Sequence, residues 1–390
     1  MAAIKYIKSV GLSILILLGS LIACQARTSL VSLPPRQHVA IRLGDHGTTL
    51  VQEKRILTLK KGINKIDFSW QNVMIDPASI TLKTLLYPDK ITLLSVGYPP
   101  NEAALVWDIL TREDLEEEVM ISYLLANIDY LITYKVVTDP AEQTIDLKSF
   151  LVLRNFSGEN FDNVSASLNY GTPVKTGIRH LETKRILVSQ NHKIPINKIY
   201  TWNALKMPHE PEKSKTAIGI PTNYEFINNK NSNLGRTTLS KGKARLFAQD
   251  SQDSTIFIGE DMVKFTPVGD KAELHIGDSR DIVITQHRLD TKRTNIKRNT
   301  KGKIQVYDEI ITDRITMENL KDSPVILSLI ETITGQWKPL DISMEYTKKD
   351  HKTLIFSVKL LAKEKKTLHM NYKVLNIFTQ KFSRYNRVVN

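Results

Sequence analysis

The sequence contains a single cysteine, Cys24, in 390 residues. One thiol cannot form an internal disulfide, so the chain is not a small scaffold held together by disulfides. The nine histidines show no spacing typical of a metal site. A glycine-rich phosphate loop, a Gly-x-Ser-x-Gly elbow and a His-Glu-x-x-His pair are all missing from the sequence. These absences predict no cofactor and no metal, and they favour a non-enzymatic protein.

Long hydrophobic runs are also missing, except for one near the N-terminus. The apolar segment Val10–Ala23 follows Lys5 and Lys8. It is shorter than the roughly 20 residues that a transmembrane helix needs. A positive head followed by a short apolar segment is typical of a signal peptide. We therefore expect residues 1–23 to be a signal peptide.

The signal segment ends in Leu21-Ile22-Ala23-Cys24, which resembles the bacterial lipoprotein signal. In that signal the cysteine carries the lipid and becomes the first residue of the mature chain, and several acyl chains anchor it stably. We expect lipidation at Cys24, a tether at residues 24–37, and a position in the bacterial cell envelope. The anchor would hold the protein at the outer membrane or the periplasmic face. The alternative is cleavage after Ala26, which would give a soluble secreted or periplasmic protein.

The charge balance is basic, with 54 Lys and Arg against 41 Asp and Glu and a formal net charge of +13. A basic surface favours anionic neighbours such as lipid headgroups, acidic polysaccharide or nucleic acid. The alternative is a surface decorated with lysine without any specific partner. Hydrophobic residues make up 41% of the chain, which is enough for real cores, and the length suggests two or three domains.

Apolar residues alternate with polar ones along much of the chain, which is typical of strands with one buried face. Four such rows are Ile66/Phe68/Trp70, Val164/Ala166/Leu168/Tyr170, Leu354/Phe356/Val358/Leu360 and Leu368/Met370/Tyr372/Val374. Turn signals separate the rows at short intervals, so we predict an all-β protein of two or three antiparallel, Ig-like β-sandwich domains with little helix. The segment Asn101–Glu118 is ambiguous, because its apolar residues also fit helical spacing.

The predicted organisation is an N-terminal β domain at 38–104, a middle β-sandwich at 105–235, a C-terminal β-sandwich at 236–376 and a basic tail at 377–390. The middle domain carries an inserted loop around Met207–Lys215, where two prolines and several charges indicate exposed chain.

A set of short motifs runs in one order from about His38 to Val374. They include Lys61-Gly62-Ile63-Asn64, Ile75-Asp76-Pro77-Ala78-Ser79-Ile80, Leu105-Val106-Trp107, Arg154-Asn155-Phe156-Ser157-Gly158-Glu159, Gly242-Lys243-Ala244-Arg245-Leu246-Phe247 and Gly335-Gln336-Trp337. Their order resembles the uncharacterised bacterial domain family shared with mucoidy inhibitor A proteins. The resemblance implies β architecture with an Ig-like C-terminal part, and it favours a strand over a helix at Leu105–Leu110.

The resemblance implies no agreed activity and no catalytic residues. Two features depart from the family pattern. The coiled-coil insertion that many relatives carry is missing, and Leu239-Ser240 stands where relatives usually have Leu-Pro. The missing insertion puts in doubt whether this chain assembles as its longer relatives do.

The segment His287–Lys303 is the most distinctive part of the sequence, with one acid, Asp290, among many bases. We predict that paired strands present these bases as a ribbon that binds an anionic lipid, glycolipid or polysaccharide: Arg288, Lys292, Arg293, Lys297, Arg298, Lys301 and Lys303. The alternative is an edge strand that lysines protect from aggregation. The segment has no aromatic residue for base stacking, so no nucleic-acid partner is expected.

Two further sets of residues are weighed for a role with saccharides. The acidic run Glu113–Glu118 could supply a carboxylate pair for sugar hydrolysis, although neighbouring carboxylates on a turn are usually just solvated. Trp70, Trp107, Trp202 and Trp337 are candidates for sugar stacking, although burial in a core is the simpler expectation.

The function we predict is therefore a non-enzymatic envelope lipoprotein, a scaffold or binding module for an anionic partner and anchored to the membrane by its lipid. The alternative is a protein that binds or processes envelope polysaccharide. The sequence points to no particular protein partner.

Overall fold

The chain folds almost entirely as β-strands. A computed structural model describes residues 28–31, 33–44, 47–168, 172–206, 219–250 and 254–379. The helical segments within these ranges are short 3₁₀ turns at Pro77–Ser79, Pro88–Lys90 and Lys230–Ser232. The predicted all-β class is confirmed. Cys24, the predicted loop Met207–Lys215 and the tail beyond residue 379 lie outside the described residues.

Strands are numbered in chain order. They are β1 (Thr28–Val31), β2 (His38–Leu43), β3 (Thr48–Leu59), β4 (Gly62–Ser69), β5 (Thr81–Thr84), β6 (Ile91–Gly97), β7 (Ala104–Thr111), β8 (Leu115–Ala126), β9 (Ile128–Thr138), β10 (Thr144–Asn155), β11 (Phe161–Ser167), β12 (Val174–Ile178), β13 (Thr183–Pro195), β14 (Asn197–Asn203), β15 (Ile220–Ile227), β16 (Gly242–Gln249), β17 (Thr255–Val263), β18 (Lys271–Ser279), β19 (Ile282–Arg298), β20 (Ile304–Asn319), β21 (Val325–Thr332), β22 (Gln336–Ile342), β23 (Thr347–Lys348), β24 (Thr353–Leu360) and β25 (Lys365–Phe378).

The predicted alternation is visible in these strands. Ile66 and Phe68 on β4 are buried, as are the rows that begin at Leu354 on β24 and at Leu368 on β25. The ambiguous segment at Leu105–Leu110 forms β7, so the strand interpretation is confirmed. The row from Val164 is shorter than predicted, because β11 ends at Ser167.

The chain divides into two compact units. Unit 1 contains residues 1–131 and 151–186, and unit 2 contains residues 132–150 and 187–390. The strands β9, β10 and β13 contribute residues to both units. The predicted segments 38–104, 105–235 and 236–376 differ from this division. For example, β4 pairs with β7 from Gly62↔Thr111 to Ser69↔Ala104, so residues on both sides of position 104 share one sheet.

Unit 1 is a sandwich of two sheets. One has the order β1-β4-β7-β6, and the other has the order β12-β11-β2-β3-β8-β5. Aromatic side chains fill the space between them. The centroid of the Phe68 ring lies 5.8 Å from that of Trp107 on the same sheet and 5.8 Å from that of Tyr123 on the opposite sheet. Burying these large apolar rings stabilises the packing of the two sheets.

Unit 2 contains three sheets: β13-β10-β9-β16-β17, β18-β15-β14-β21-β24-β23 and β19-β20-β25-β22. The last two pack face to face around one apolar cluster. Leu327 and Leu329 of β21 meet Ile315 and Met317 of β20 there. The four-stranded sheet therefore has an inner face in the core and an outer face in solvent, because side chains alternate along each strand.

Some strand pairs in the described ranges are parallel, although the sequence analysis predicts antiparallel sandwiches. These pairs are β1–β4, β2–β11, β9–β16 and β14–β21. Most of the other pairs are antiparallel, so the sandwich class holds. Parallel pairs join segments that are far apart in the chain, and turn signals do not reveal them.

Candidate functional site

The predicted basic segment forms the strand β19 and the turn after it. β19 is an edge strand of the sheet β19-β20-β25-β22, and it pairs with β20 from Ile282↔Asn319 to Arg298↔Ile304. The two strands make a long hairpin, so the predicted ribbon geometry is present. β19 also satisfies the geometric condition of the alternative interpretation, in which lysines protect an exposed sheet edge.

The tip of this hairpin is organised by Asn299. Its side-chain oxygen accepts hydrogen bonds from the backbone N–H groups of Lys301 and Lys303, at 3.0 and 2.9 Å. Gly302 has a φ of +76°, a left-handed conformation that glycine adopts without strain. The guanidinium of Arg298 donates to the Gly302 carbonyl at 2.9 Å. Local turn chemistry therefore places Lys301 and Lys303 at the tip.

The structure separates the predicted arginines from the predicted lysines. Arg288 pairs with Asp313 at 3.0 Å. Arg293 lies 3.9 Å from Glu309, and its guanidinium lies over the Tyr307 ring at 4.5 Å. These two arginines are therefore engaged within the sheet, as is Arg298 in the turn. They are poor candidates for the direct recognition of an anion.

The four lysines of the segment have no ion-pair partner among the described residues: Lys292, Lys297, Lys301 and Lys303. Lys292 lies opposite Ile310, and Lys297 lies opposite Val306. Directly opposed residues point to the same face of a sheet. Ile311 of β20 points into the core, so Val306 and Ile310, at the other parity along this strand, point to the opposite, outer face. Lys292 and Lys297 therefore lie on the outer, solvent-facing side.

A row of residues crosses all four strands at the level of Lys292. It runs from Lys292 on β19 through Ile310 on β20 and Lys373 on β25 to Lys338 on β22. Lys373 is neutralised by Asp308 at 3.0 Å. Lys338 is exposed and has no ion-pair partner in the described ranges. The row thus adds a free cation that lies far from the predicted segment in sequence.

A second row contains Arg314, flanked by His287 and His369. Arg314 is exposed on the interior strand β20 and makes no ion pair with a described residue. The carboxylates of Asp290 and Asp341 lie on the same face and make no ion pair in the described part of the chain. We call the outer-face cations Lys292, Lys297, Arg314 and Lys338, together with Lys301 and Lys303 at the tip, the basic surface.

A bulge in β19 fixes the outer part of the hairpin. Asn295 has a φ of 52°, and its side-chain amide donates to Asp308 at 2.6 Å. Asp308 also accepts from the backbone N–H of Asn376 at 3.0 Å and pairs with Lys373. These contacts, led by the Asn376 N–H group, lower the pKa of Asp308 to about 2. The carboxylate is thus ionised at neutral pH and holds three strands together.

A polar layer lies at one end of the apolar core beneath the basic surface. Asp313 and Glu331 are both buried, and the Tyr372 hydroxyl donates to Asp313 at 3.0 Å. The side-chain amide of Gln286 donates to Glu331 at 3.3 Å, whereas the other oxygen of Glu331 has no partner in the described structure. Burial, with a smaller contribution from Asp313, raises the pKa of Glu331 to about 7. This layer was not predicted, although the sequence carries a signal for it in the charged residue that ends the apolar row Val325/Leu327/Leu329/Glu331.

The acidic run Glu113–Glu118 covers the turn between β7 and β8 and the first residues of β8. Glu117 is fully buried and accepts backbone N–H groups from Leu85, Leu86 and Tyr87. Three others pair with lysines: Glu113 with Lys90, Asp114 with Lys60 and Glu118 with Lys54. Most of these carboxylates are thus engaged in structural contacts, which gives no support to a hydrolytic pair here.

The four tryptophans do not form an exposed sugar-stacking surface. Trp70, Trp107 and Trp202 are buried. Trp337 is half-buried, with its ring under Lys348 and its N–H bonded to the His351 carbonyl at 2.8 Å. Trp70 does line a cavity in unit 1, described next.

Unit 1 contains a buried charged cluster that sequence analysis missed. Arg36 pairs with Glu53 at 3.1 Å and also with Glu159. Arg55 donates to Glu53 at 2.8 Å and to the Pro34 carbonyl. The Glu53 side chain is 1% exposed, and burial raises its pKa despite the two arginines. The signal in the sequence is the inward row of β3, where Glu53 and Arg55 stand between the apolar Val51 and Leu57.

A cavity of about 240 Å³ lies beside this cluster. Its lining combines the charged cluster with aromatic and polar groups: Leu33, Arg36, Glu53, Arg55, Asp67, Phe68, Ser69, Trp70, Ile75, Tyr123 and Glu159. Arg36 also borders a larger open cavity of about 540 Å³ between the first residues of β2 and β11.

Comparison with known proteins adds no family, since no protein-family model and no curated protein matches the chain. In the described ranges, no group of three or more histidine, cysteine, aspartate or glutamate residues is placed to hold a metal ion. None of the described helical segments has the length and apolar character needed to cross a bilayer. The fold defines an all-β protein of several, mostly antiparallel sheets.

Proposed function

We propose that this protein is a non-enzymatic binding module of the bacterial cell envelope that holds an anionic partner on its basic surface. A lipid on Cys24 would tether the β-sheet body to the membrane. The proposed similarity to the family shared with mucoidy inhibitor A proteins fits this role, but it contributes no activity and no site residue.

The observation that carries the proposal is the position of Arg314. Lysines on the two edge strands β19 and β22, Lys338 among them, are explained by protection of an exposed sheet edge. Arg314 lies on β20, an interior strand whose backbone groups are already paired on both sides. Edge protection gives no reason for a free cation there. Cations spread over the face of a sheet fit a broad anionic partner.

The partner chemistry that fits best is a phosphate-bearing lipid or glycolipid surface. Each cation near an anionic membrane surface contributes about 1 kcal/mol, and the attraction decays within a Debye length of about 10 Å at 0.1 M salt. Binding should therefore weaken steeply as salt is added. A lipid anchor on the same chain would keep the basic surface near such headgroups.

The test is cosedimentation of the full chain, produced without the lipid on Cys24, with vesicles of phosphatidylglycerol and of phosphatidylcholine. The triple variant Lys292→Gln/Arg314→Gln/Lys338→Gln should bind phosphatidylglycerol roughly a hundredfold more weakly. The matched control is Lys60→Gln/Lys90→Gln/Lys243→Gln, which removes the same charge from lysines that already have acidic partners. Equal binding by the wild type and the first triple variant, or equal binding to both vesicles, would refute the proposal.

The proposed anchor has a separate test in the intact mass and detergent partitioning of the native protein. We expect a chain that begins at a triacylated Cys24 and enters the detergent phase. A chain that begins at Arg27 without lipid would contradict the anchor and leave the basic surface to be tested alone.

A further inference from the structure

The charged cluster of unit 1 occupies positions where the fold calls for apolar residues. On β3, Thr49, Val51, Glu53 and Leu57 are all buried and point into the sandwich. Taking a carboxylate and its guanidinium partners out of water costs several kcal/mol, which their attraction only partly offsets. Such a local departure from the pattern of a core is expected mainly at functional sites.

The cavity beside the cluster offers a polar group that the protein itself leaves unused. The Tyr123 hydroxyl has no hydrogen-bond partner among the described residues. Burial, with Glu53 and Glu159, raises the pKa of Tyr123 above its ordinary value. The phenol therefore stays protonated and can both donate and accept a hydrogen bond.

The charges that line the cavity restrict the ligand. Glu53 forms ion pairs with the guanidinium groups of both Arg36 and Arg55, and Arg36 also pairs with Glu159. The two arginines are thus neutralised by the two carboxylates of the cluster. The cavity has no unpaired cation to attract a phosphate, sulfate or carboxylate ligand.

The remaining groups suit a neutral ligand that carries several hydroxyls. Hydroxyls can donate to the carboxylate of Glu159 and accept from Tyr123, while ring carbons pack against Phe68 and Trp70. The volume of about 240 Å³ lies just below the 300 to 1,000 Å³ typical of drug-sized ligands and equals about eight water volumes. This is room for a single small ring.

We propose that this cavity of unit 1 binds one neutral hexopyranose residue, with Tyr123 and Glu159 as its hydrogen-bonding groups. The site is separate from the basic surface and does not depend on it. A ligand longer than one ring would extend past Arg36, which borders the larger cavity.

The decisive variant is Tyr123→Phe. The hydroxyl makes no hydrogen bond within the described protein, so its removal should leave the melting temperature unchanged. If it contacts the sugar, the affinity should fall by about fivefold to tenfold, the value of one neutral hydrogen bond. The control is Tyr134→Phe in unit 2, where the hydroxyl donates to the Ser240 carbonyl at 2.7 Å. That variant should lose stability and keep its affinity for the sugar.

The measurement is a saturation-transfer NMR titration of the full chain with methyl glycosides of glucose, galactose, mannose and N-acetylglucosamine. Glucosamine, which is cationic, and glucuronate, which is anionic, are titrated in parallel as charged comparison ligands. We expect at least one neutral glycoside to bind saturably and to be weakened by Tyr123→Phe. Saturable binding by charged sugars alone, no binding by any neutral glycoside, or unchanged affinity in Tyr123→Phe would overturn the proposal.

Discussion

Arg288 on β19 and Asp313 on β20 lie directly opposite each other, with Arg288 Nε 3.0 Å from Asp313 Oδ1. Asp313 is on the inner face of the sheet and is buried, whereas more than half of the Arg288 side chain is exposed. The arginine therefore reaches from solvent to neutralise a carboxylate at the end of the core. Lys292, on the same strand, neutralises no carboxylate and points to the outer face. We therefore expect Arg288 to contribute to stability and Lys292 to contribute to binding.

Replacement of Arg288 should affect stability and leave membrane binding unchanged. In Arg288→Gln, the buried Asp313 keeps the Tyr372 hydroxyl but loses its cationic partner. We expect a loss of about 1 to 2 kcal/mol in the free energy of unfolding, measured in urea. Lys292→Gln should show the reverse pattern, with stability within about 0.5 kcal/mol of wild type and weaker binding to phosphatidylglycerol vesicles. Identical behaviour of the two variants in both assays would remove the distinction.

The buried carboxylate of Glu117 should be essential to the loop before β6. Its two oxygens accept three backbone N–H groups, from Leu85, Leu86 and Tyr87, at 2.7, 2.8 and 2.9 Å. In Glu117→Gln an amide N–H₂ group would face some of these donors, which should cost about 1 to 3 kcal/mol. Amide hydrogen exchange at residues 85–87 should become faster. The control is Glu116→Gln, which changes an exposed neighbour. Equal hydrogen-exchange protection of residues 85–87 in the two variants would contradict this role of Glu117.

The period-two pattern predicted the strands well because side-chain alternation is a local property. Strands β24 and β25 follow their predicted apolar rows from Leu354 and Leu368. The basic hairpin was also visible, since its lysines lie within one short segment. The rows that join Lys292 to Lys338 and place Arg314 between two histidines require the order β19-β20-β25-β22. That order pairs strands far apart in the chain, and no local signal specifies it.

The unit 1 cavity was missed for a different reason. Glu53 and Arg55 interrupt the apolar row of β3, and this is visible in the sequence. Lys54, on the opposite face of the strand, is also charged, so the sequence alone does not show which of these charged side chains point into the core. The opposing partners Arg36 and Glu159 come from segments more than a hundred residues apart. Only the packed sandwich brings them together.

Asp308 should stabilise the hairpin at all but the most acidic pH. Its pKa is about 2 in the folded protein, against an ordinary value of 3.8. A carboxyl group with a lowered folded-state pKa stabilises the protein above its unfolded-state pKa, and this stabilisation is lost as the pH falls toward 2. Urea unfolding of the wild type between pH 4 and 2 should show this loss, and Asp308→Asn should flatten it. The exposed Asp290→Asn is the control, and an unaltered acid limb in Asp308→Asn would count against this role.

Glu331 should make the protein less stable as the pH rises through neutrality. Its folded-state pKa is about 7 and its ordinary value is 4.5, so the folded protein holds a proton that the unfolded chain has already released between these values. The free energy of unfolding therefore falls across that window, and each pKa unit is worth about 1.4 kcal/mol. The full shift corresponds to a loss on the order of 3 kcal/mol by pH 7.5.

The variant Glu331→Gln cannot ionise, so its stability should stay level where that of the wild type declines. The variant Gln286→Leu provides the complementary test. The hydrogen bond from Gln286 lowers the pKa of Glu331, so its removal should move the declining window to higher pH. Urea unfolding from pH 4.5 to 8.5 measures both effects. A decline in Glu331→Gln as steep as in the wild type would assign the pH dependence to other groups, because glutamine at this position retains the volume but has no proton to release.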